Sequence, residues 1–398
     1  MPTNENISAS GKVRHSLPYK KPSQDIKTSF DRFIVSTPAL KIQHPTSSIT
    51  MIEIDGSYGE GGGQVLRTSL SLAAITGAPI RIVGIRAGRK KPGLAAQHLT
   101  AVRAAARICH ANLRGDALGS MMLEFVPSSS VQPGHYTFDV TEAQQSGSAG
   151  AMTLVLQTIL LPLALANADS QVTLKGGTHV PFSPTMTYIE QVYLSMLHHM
   201  GVETKAKLQA WGWYPQGGGE IHIQVSGGGL LSGINLLERG KLKQIRGLAV
   251  VTELPSHIPQ RMANRADNLL RQAGLKAVIQ ALRETGVAPG AGIFLTAEYE
   301  NSLSGFGGIG RLRIPAEKVA DIACQQLLQF HHTGAPVDEH LADQLLLPAA
   351  LASQKSQYRV AEISTHLTTN AAIIEQFGLA KVMVDEAEKI VTVMPVTK

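Results

Sequence analysis

From Ile52 onward, short runs that alternate apolar and polar residues are separated by longer runs with apolar residues every three to four positions. The first pattern predicts strands and the second amphipathic helices. IEIDG gives a strand and turn, QVLRTSLSLAAITG a helix stopped by Gly77, IRIVGI a strand and LAAQHLTAVRAAARICH a second helix. Two strands follow around the Pro133-Gly134 turn, MMLEFV and HYTFDV. The theme then returns: SGSAGAMTLVLQTILLPLALA predicts a glycine turn and a buried helix, QVTLK a strand, and TMTYIEQVYLSMLHHMG a helix. ETKAKLQAW and EIHIQVS predict strands around GWYPQGGG.

A third, partial copy begins after residue 336, with a DEHLADQLLLPAALA helix, a YRVAEIS strand, a helix over TTNAAIIEQFG, and closing strands KVMVD and KIVTVMP. Periods this long predict an α/β (α+β) fold of three two-helix, four-strand modules rather than a solenoid. Residues 238–335 change texture, opening on basic ERGKLKQIRG and carrying an Arg- and Asn-rich helix, a GIFLTAEYE strand and the glycine-rich SLSGFGGIG. They read as a smaller α/β domain inserted between 51–237 and 336–398. SLSGFGGIG resembles a phosphate-cradling loop, although a mobile hairpin tip is the commoner use of such a stretch.

Residues 1–50 are polar and aperiodic and read as a disordered basic tail without the apolar run of a secretory signal. Met51 stands immediately before the first strand and marks the expected start of the folded part, so deletion of 1–50 is expected to leave activity intact. The tail also changes the reading of charge. Of the formal net +6 on 398 residues, this segment supplies +4, seven Lys/Arg against three Asp/Glu. The remaining body is nearly neutral, so phosphate binding has to come from local clusters. With 43% hydrophobic residues the chain has material for a large core. Its longest apolar stretch, 151–166, is interrupted by Thr153, Gln157, Thr158 and Pro162 and is too short to span a bilayer. Two isolated cysteines, Cys109 and Cys324, suggest neither a disulfide framework nor a thiolate zinc site, which fits a reducing, cytosolic setting.

Neither a Walker A loop nor a Rossmann glycine fingerprint is present, and no HExxH occurs among the 14 histidines. The candidate chemistry lies elsewhere. In GEGGGQVLRT, consecutive glycines precede a helix, with Glu60 before them and Arg67 one turn in. Such a turn lets a phosphate approach the helix N-terminus, and Glu60 is placed to hold a divalent cation. RAGRKKPGLAAQHL puts Arg86, Arg89, Lys90 and Lys91 in one loop and Gln97 and His98 on the next helix, a cationic cluster suited to a polyphosphate or a nucleic-acid backbone. The plainer readings are a tight turn with a solvated Glu60 and a solvated charged loop. Gln157 is an amide inside an apolar helix and needs partners, either backbone or a ligand's base edge. Asp343 and Gln344 offer an acceptor and an amide on one helix face. In ISTHLTTNAAII, His366 is expected in a strand-to-helix loop with Asn370 as the helix N-cap behind it. A loop histidine that only hydrogen-bonds is the commoner case.

Taken in order, GEGGGQVLRT, RAGRKKPGLAAQHLTAV, the GSAGAMTLVLQT helix, GGT with SPT, GWYPQGGG, EHLADQLLLP and THLTTN resemble the RNA 3′-terminal phosphate cyclase family in type, order and spacing. The resemblance covers essentially all of 51–398. It implies three related modules with a smaller domain inserted before the third, and an enzyme, a ligase, that uses ATP and a divalent cation (Mg or Mn) on an RNA bearing a 3′-phosphate. The implied route runs through covalent histidine-AMP and RNA-adenylate to a 2′,3′-cyclic phosphate. His366 matches the nucleophile and Glu60 a metal-contacting carboxylate. Arg67, Arg86, Arg89, Gln97 and His98 match phosphate- or RNA-handling positions. Gln157, Pro184, His340, Leu341, Ala342, Asp343 and Gln344 match the nucleotide pocket. The resemblance departs at His340, where the family usually has tyrosine as one wall of the adenine slot, and at Trp211, where Arg or His usually precedes the GxxPxGGG motif. Relatives that have lost the nucleophile serve as non-catalytic ribosome-assembly proteins, and that is the alternative reading. An enolpyruvyl transferase shares only the module architecture. The sequence leaves the oligomeric state open.

Overall fold

The computed structural model describes residues 50–143 and 150–396. The basic tail expected over 1–50 therefore lies almost wholly outside the described residues, as does most of the SGSAG turn. The fold is α/β, as the alternation of periods predicts.

Strands β1 (Ile52–Asp55) and β2 (Ile80–Val83) flank helix α1 (Gly63–Thr76), which stops at Gly77 with φ 72°. Helix α2 (Ala96–Cys109) leads to β3 (Asn112–Arg114) and β4 (Met122–Val126). The sheet order is β1-β2-β4-β3, with β1 and β2 parallel and the other pairs antiparallel. The three-residue β3 is too short to give an alternating signal. HYTFDV, expected beside MMLEFV, is instead β5 (His135–Asp139) and begins the next sheet. A proline-glycine turn fixes where the chain reverses, not which sheet the following strand joins.

Helix α3 (Met152–Ala164) is the buried helix expected from the long apolar run, and it carries Pro162 in its last turn. It is followed by β6 (Ser170–Gly176), α4 (Met186–Tyr188), a π turn (Ile189–Tyr193), α5 (Leu194–His199), β7 (Thr204–Ala210) and β8 (Gly219–Val225). This second sheet runs β5-β6-β8-β7, with β5 and β6 parallel. Strand β9 (Asn235–Leu236) follows at once.

Residues beyond β9 form a sheet of β10 (Leu242–Thr252), β11 (Ala277–Glu284), β12 (Gly290–Tyr299) and β13 (Leu303–Ile309), ordered β11-β10-β12-β13. Helices α6 (His257–Gln272) and α7 (Ala316–Thr333) pack with it around Met262, Ala266, Leu327 and Tyr299, a core distinct from the main one. SLSGFGGIG is neither a phosphate loop nor a hairpin tip. It is β13, whose glycines lie under close neighbours such as Tyr188 over Gly305. In a strand, glycine serves such close approach as readily as it serves a loop.

DEHLADQLLLPAALA breaks at Leu345 into α8 (Glu339–Gln344) and α9 (Leu346–Ala350). Strand β14 is only Ser356–Arg359, after which α10 (Thr365–Gln376), β15 (Ala380–Asp385) and β16 (Ile390–Pro395) complete the chain. The order is β15-β16-β14-β9, with β9 parallel to β14, so a strand from before β10 is paired with one more than 100 residues later. The main core joins α1, α2, α3 and α10 through fully buried residues such as Leu70, Val102, Leu156 and Ile374. Truncating any of these leucines to alanine costs about 2–5 kcal/mol.

Candidate active site

The site forms where the N-terminal ends of α1 and α10 meet α8. Helix α10 begins six residues earlier than an Asn370 cap would place it. Ser364, not Asn370, is the N-cap: its Oγ accepts the Leu367 N–H at 3.2 Å. Ser364 has the same capping chemistry as Asn370 and stands nearer the end of β14. His366 is therefore in the first helical turn, where the N-terminal end of the macrodipole opposes a positive charge. Asn370 is buried inside the helix, accepting from Thr68 Oγ1 at 2.7 Å and donating to the Asp343 carbonyl at 3.3 Å. One side chain thus ties α10 to α1 and to α8.

Opposite His366 stands the glycine turn. Gly59 has φ 63°, and a Cβ there would collide with Thr369 Oγ1 on α10, so only glycine allows this approach. Glu60 Oε2 lies 2.7 Å from His366 Nε2, and Oε1 accepts from Arg89. The approach to the imidazole lacks hydrogen-bond alignment, which leaves Oε2 a buried oxygen without a donor. Burial lowers the His366 pKa, and Arg67, His340 and Arg89 push the same way against the attraction of Glu60. The imidazole is thereby held toward its neutral, nucleophilic form.

Arg67 and His98 converge at the start of α1. A Cβ on Gly63 would strike both Arg67 Nη1 and His98 Nε2. His98 is 5% exposed, and its Nδ1 accepts the Ala95 N–H at 3.2 Å, so Nε2 carries the proton and faces the site. Burial, with Arg67 and Arg86 nearby, drives its pKa down to about 3, which fixes it as a neutral donor. Burial also draws the Arg67 guanidinium down to about 10, against Asp343 and Glu60. It remains charged at neutral pH and donates to Gln64 Oε1 at 2.5 Å.

A polar cleft continues from Arg67 between α1, α3 and α8, lined by Gln157, Tyr193, Asp343, Gln344 and Asn370 among others. Gln344 Oε1 is buried without a donor. Burial raises the Asp343 pKa to about 7, with His340 and Arg67 opposing. Asp338 caps α8, accepting the His340 and Leu341 N–H groups and the Tyr188 hydroxyl at 2.9–3.0 Å. His340 is exposed and meets the Tyr188 ring edge-on at 6.3 Å. Pro184 is anchored through its carbonyl, which accepts from Thr153 Oγ1 at 2.7 Å.

Some expected site residues have other engagements. Gln97 Oε1 accepts the Ala151 N–H at 3.0 Å and so secures the start of α3. Arg86, at φ 53°, donates to the Gly93 carbonyl at 2.7 Å. The side chains of Leu341 and Ala342 are fully buried, leaving their backbone as the part able to meet a ligand. Trp211 stacks on Trp213 at 5.4 Å and lies 4.5 Å from the His179 ring, so it packs where a cation was expected. Asn370, Thr68 and Tyr193 are site residues that sequence reasoning missed. For Asn370 the signal was present but was read as a cap.

A divalent cation fits this donor set. Among the described residues no group of three or more His, Cys, Asp or Glu is arranged around a metal, so Glu60 would be the single carboxylate. Magnesium is commonly held in this way, by one or two carboxylates with substrate phosphates and water, and the unsatisfied Glu60 Oε2 is a ready ligand.

Comparison with known proteins gives the family of the chain. The family model described as RNA 3′-terminal phosphate cyclase matches residues 58–384. The chain belongs to the RNA 3′-terminal phosphate cyclase family. A Nostoc punctiforme protein of that name is 78% identical over 347 residues, 87% of this chain and 100% of its own length. Its counterpart in Trichormus variabilis is 76% identical over 86% of this chain and 99% of its own length. The Methylococcus capsulatus protein is 52% identical over 85% and 94%. Among the described residues of this cyclase-family chain, no helix is long and apolar enough to cross a membrane.

Proposed function

We propose that this protein converts an RNA 3′-terminal phosphate to a 2′,3′-cyclic phosphate at the expense of ATP. The observation that carries the reading is His366, at a helix N-terminus, 2.7 Å from Glu60 and beside Arg67 and Arg89. Non-catalytic relatives lack such a nucleophile. The protein would work where RNA is processed in the cytoplasm, a setting in which its two buried thiols stay reduced.

In the first step a neutral imidazole nitrogen of His366 attacks the α-phosphorus of ATP. A P–N bond forms, the bond to the β-phosphate oxygen breaks, and pyrophosphate leaves. Arg67, Arg89 and the first-turn N–H groups of α10 neutralise the charge gathered on the phosphorus oxygens. His98 adds a neutral N–H donor at the start of α1. Gln157, Asp343 and Gln344, with Pro184 and His340 as walls, would hold the nucleoside. Glu60 would hold the divalent cation, which when bound neutralises phosphate charge as a Lewis acid.

In the second step an oxygen of the RNA 3′-phosphate attacks the same phosphorus, the P–N bond breaks, and His366 is released with AMP on the RNA. In the third step the vicinal 2′-hydroxyl loses its proton and attacks the 3′-phosphorus, expelling AMP. Ring closure is intramolecular, so the protein supplies mainly positioning and charge. Residues 238–335 act in this scheme as a separate unit inserted between the segments that build the site.

Incubation with α-labelled ATP and Mn²⁺ tests the proposal. Wild type takes up label that acid or hydroxylamine releases, and His366→Ala takes up none. Labelling of His366→Ala equal to wild type overturns it. Equal turnover of RNAs ending in 3′-phosphate and in 3′-hydroxyl would instead indicate ligase-like end joining.

A further inference from the structure

Phe182 has features that packing does not explain. Its side chain is 98% exposed, and its backbone sits at φ 63°, a left-handed conformation that is strained for a bulky residue. Glycine at this position would remove both costs. The loop around it is nonetheless firmly held: the Met186 N–H donates to the Thr178 carbonyl at 2.9 Å, Ser183 Oγ to the Val180 carbonyl at 3.0 Å, and Thr153 Oγ1 to the Pro184 carbonyl. A fixed loop that presents an aromatic ring to solvent at the expense of strain points to a use for the ring.

A second exposed ring stands on the adjoining loop. Tyr214 is 67% exposed, and its loop is bonded to the first: the Thr178 and His179 N–H groups donate to the Gly212 carbonyl at 2.9 and 3.0 Å. Trp211 stacks on Trp213 and the His179 ring packs tilted against both, so the two loops are also joined through an aromatic cluster. The Phe182 loop also borders the site. Thr153, which grips Pro184, precedes Gln157 by one turn of α3, about 6 Å along its axis. On the site's other side Lys90 and Lys91 are exposed beside Arg89, and neither has an ion pair among the described residues.

We infer that Phe182 and Tyr214 form a stacking platform for the unpaired bases just upstream of the RNA 3′-phosphate. Aromatic faces beside a basic groove are the usual means of holding single strands without reading their sequence. The platform would make the protein select ends with an unpaired 3′ overhang over blunt duplex ends. This rests on the cyclase reading only in taking RNA as the substrate.

The test uses the full chain and short RNAs with a 3′-phosphate, either as an overhang or as a blunt hairpin. Binding is read by anisotropy, and stacking by quenching of 2-aminopurine placed next to the terminal nucleotide. Phe182→Ala weakens overhang binding on the order of 5- to 100-fold, relieves the quenching and leaves blunt-end binding nearly unchanged. Self-labelling by ATP and its KM are unaltered, and Phe182→Trp restores binding. Phe182→Gly is at least as heat-stable as wild type yet binds overhangs as poorly as Phe182→Ala. Unchanged overhang affinity in the Phe182→Ala/Tyr214→Ala double variant overturns the inference. So does a loss confined to the ATP step, which would make Phe182 an adenine contact. Failure of wild type to take label from ATP would sink the cyclase reading alone, because RNA binding is measured separately.

Discussion

Glu60 Oε2 and His366 Nε2 face each other at 2.7 Å, while the other Glu60 oxygen is held by Arg89. The carboxylate thus has two cationic or potentially cationic neighbours, and a divalent cation has to share it with them. His366→Ala removes one neighbour and leaves the oxygen in place. Mn²⁺ binding to that variant, followed by electron paramagnetic resonance, is expected to equal or exceed wild type while self-labelling disappears. Glu60→Ala is expected to lose about 10-fold or more in Mn²⁺ affinity, the value of one charge-assisted contact, and to lose activity as well. Equal Mn²⁺ affinity in Glu60→Ala and wild type would remove Glu60 from the metal site.

Asp343 gives a pH prediction of definite sign. Its ordinary value is 3.8, and burial raises it to about 7 in the folded protein. The folded state therefore binds a proton that the unfolded chain has already released between about pH 4 and 7. The stability this group contributes is present below that window and is lost as pH rises through 7. Asp343→Asn is neutral at every pH, so thermal melts should show the variant gaining on wild type from pH 5 to pH 8 while ATP labelling falls. A difference in Tm that stays constant across that range would refute the assignment.

Asn370 joins three helices, and removing it should be costly for a residue outside the reaction. Asn370→Ala leaves the buried Thr68 hydroxyl and the Asp343 carbonyl short of a partner, a loss of about 1–3 kcal/mol. Ser364→Ala removes the N-cap and costs about 1 kcal/mol. Urea unfolding should rank Asn370→Ala as the more damaging. If Ser364 were the greater loss, the packing of α10 would depend on its cap rather than on the Asn370 tie.

These residues show what was legible in the chain. Helices α1, α2 and α3 follow from their long apolar content, and α3 is buried at every position except Gln157. The glycine turn and the arginine loop stand out in the sequence as candidate chemistry, whereas His366 does so only through the family resemblance. The cap of α10 was not legible, since Ser364, Thr365 and Asn370 carry similar signals and only tertiary contact with Thr68 turns Asn370 inward. Strand β13 was misread for a related reason. Its glycines fit under Tyr188 and Phe294, and a sequence shows a glycine without showing what lies above it. The split of α8 from α9 has a local cause in Pro348, which lacks the N–H that would bond the Gln344 carbonyl and crowds it, so the helix breaks at Leu345.

His340 offers the last prediction. It is exposed at the start of α8, edge-on to Tyr188, and lies where the family resemblance puts a tyrosine against the adenine. An imidazole presents a smaller face than a phenol and gains less from stacking on a purine. The same ring also adds to the pressure that lowers the His366 pKa. His340→Tyr removes that charge and widens the stacking surface together. The variant should lower the KM for ATP by about 2- to 10-fold, the value of one improved aromatic pair. It should also move the acidic limb of the labelling rate to higher pH, because His366 then holds its proton more tightly. A lower KM with an unmoved limb would place His340 against the adenine yet electrostatically remote from His366. A moved limb with an unchanged KM would take it out of the slot.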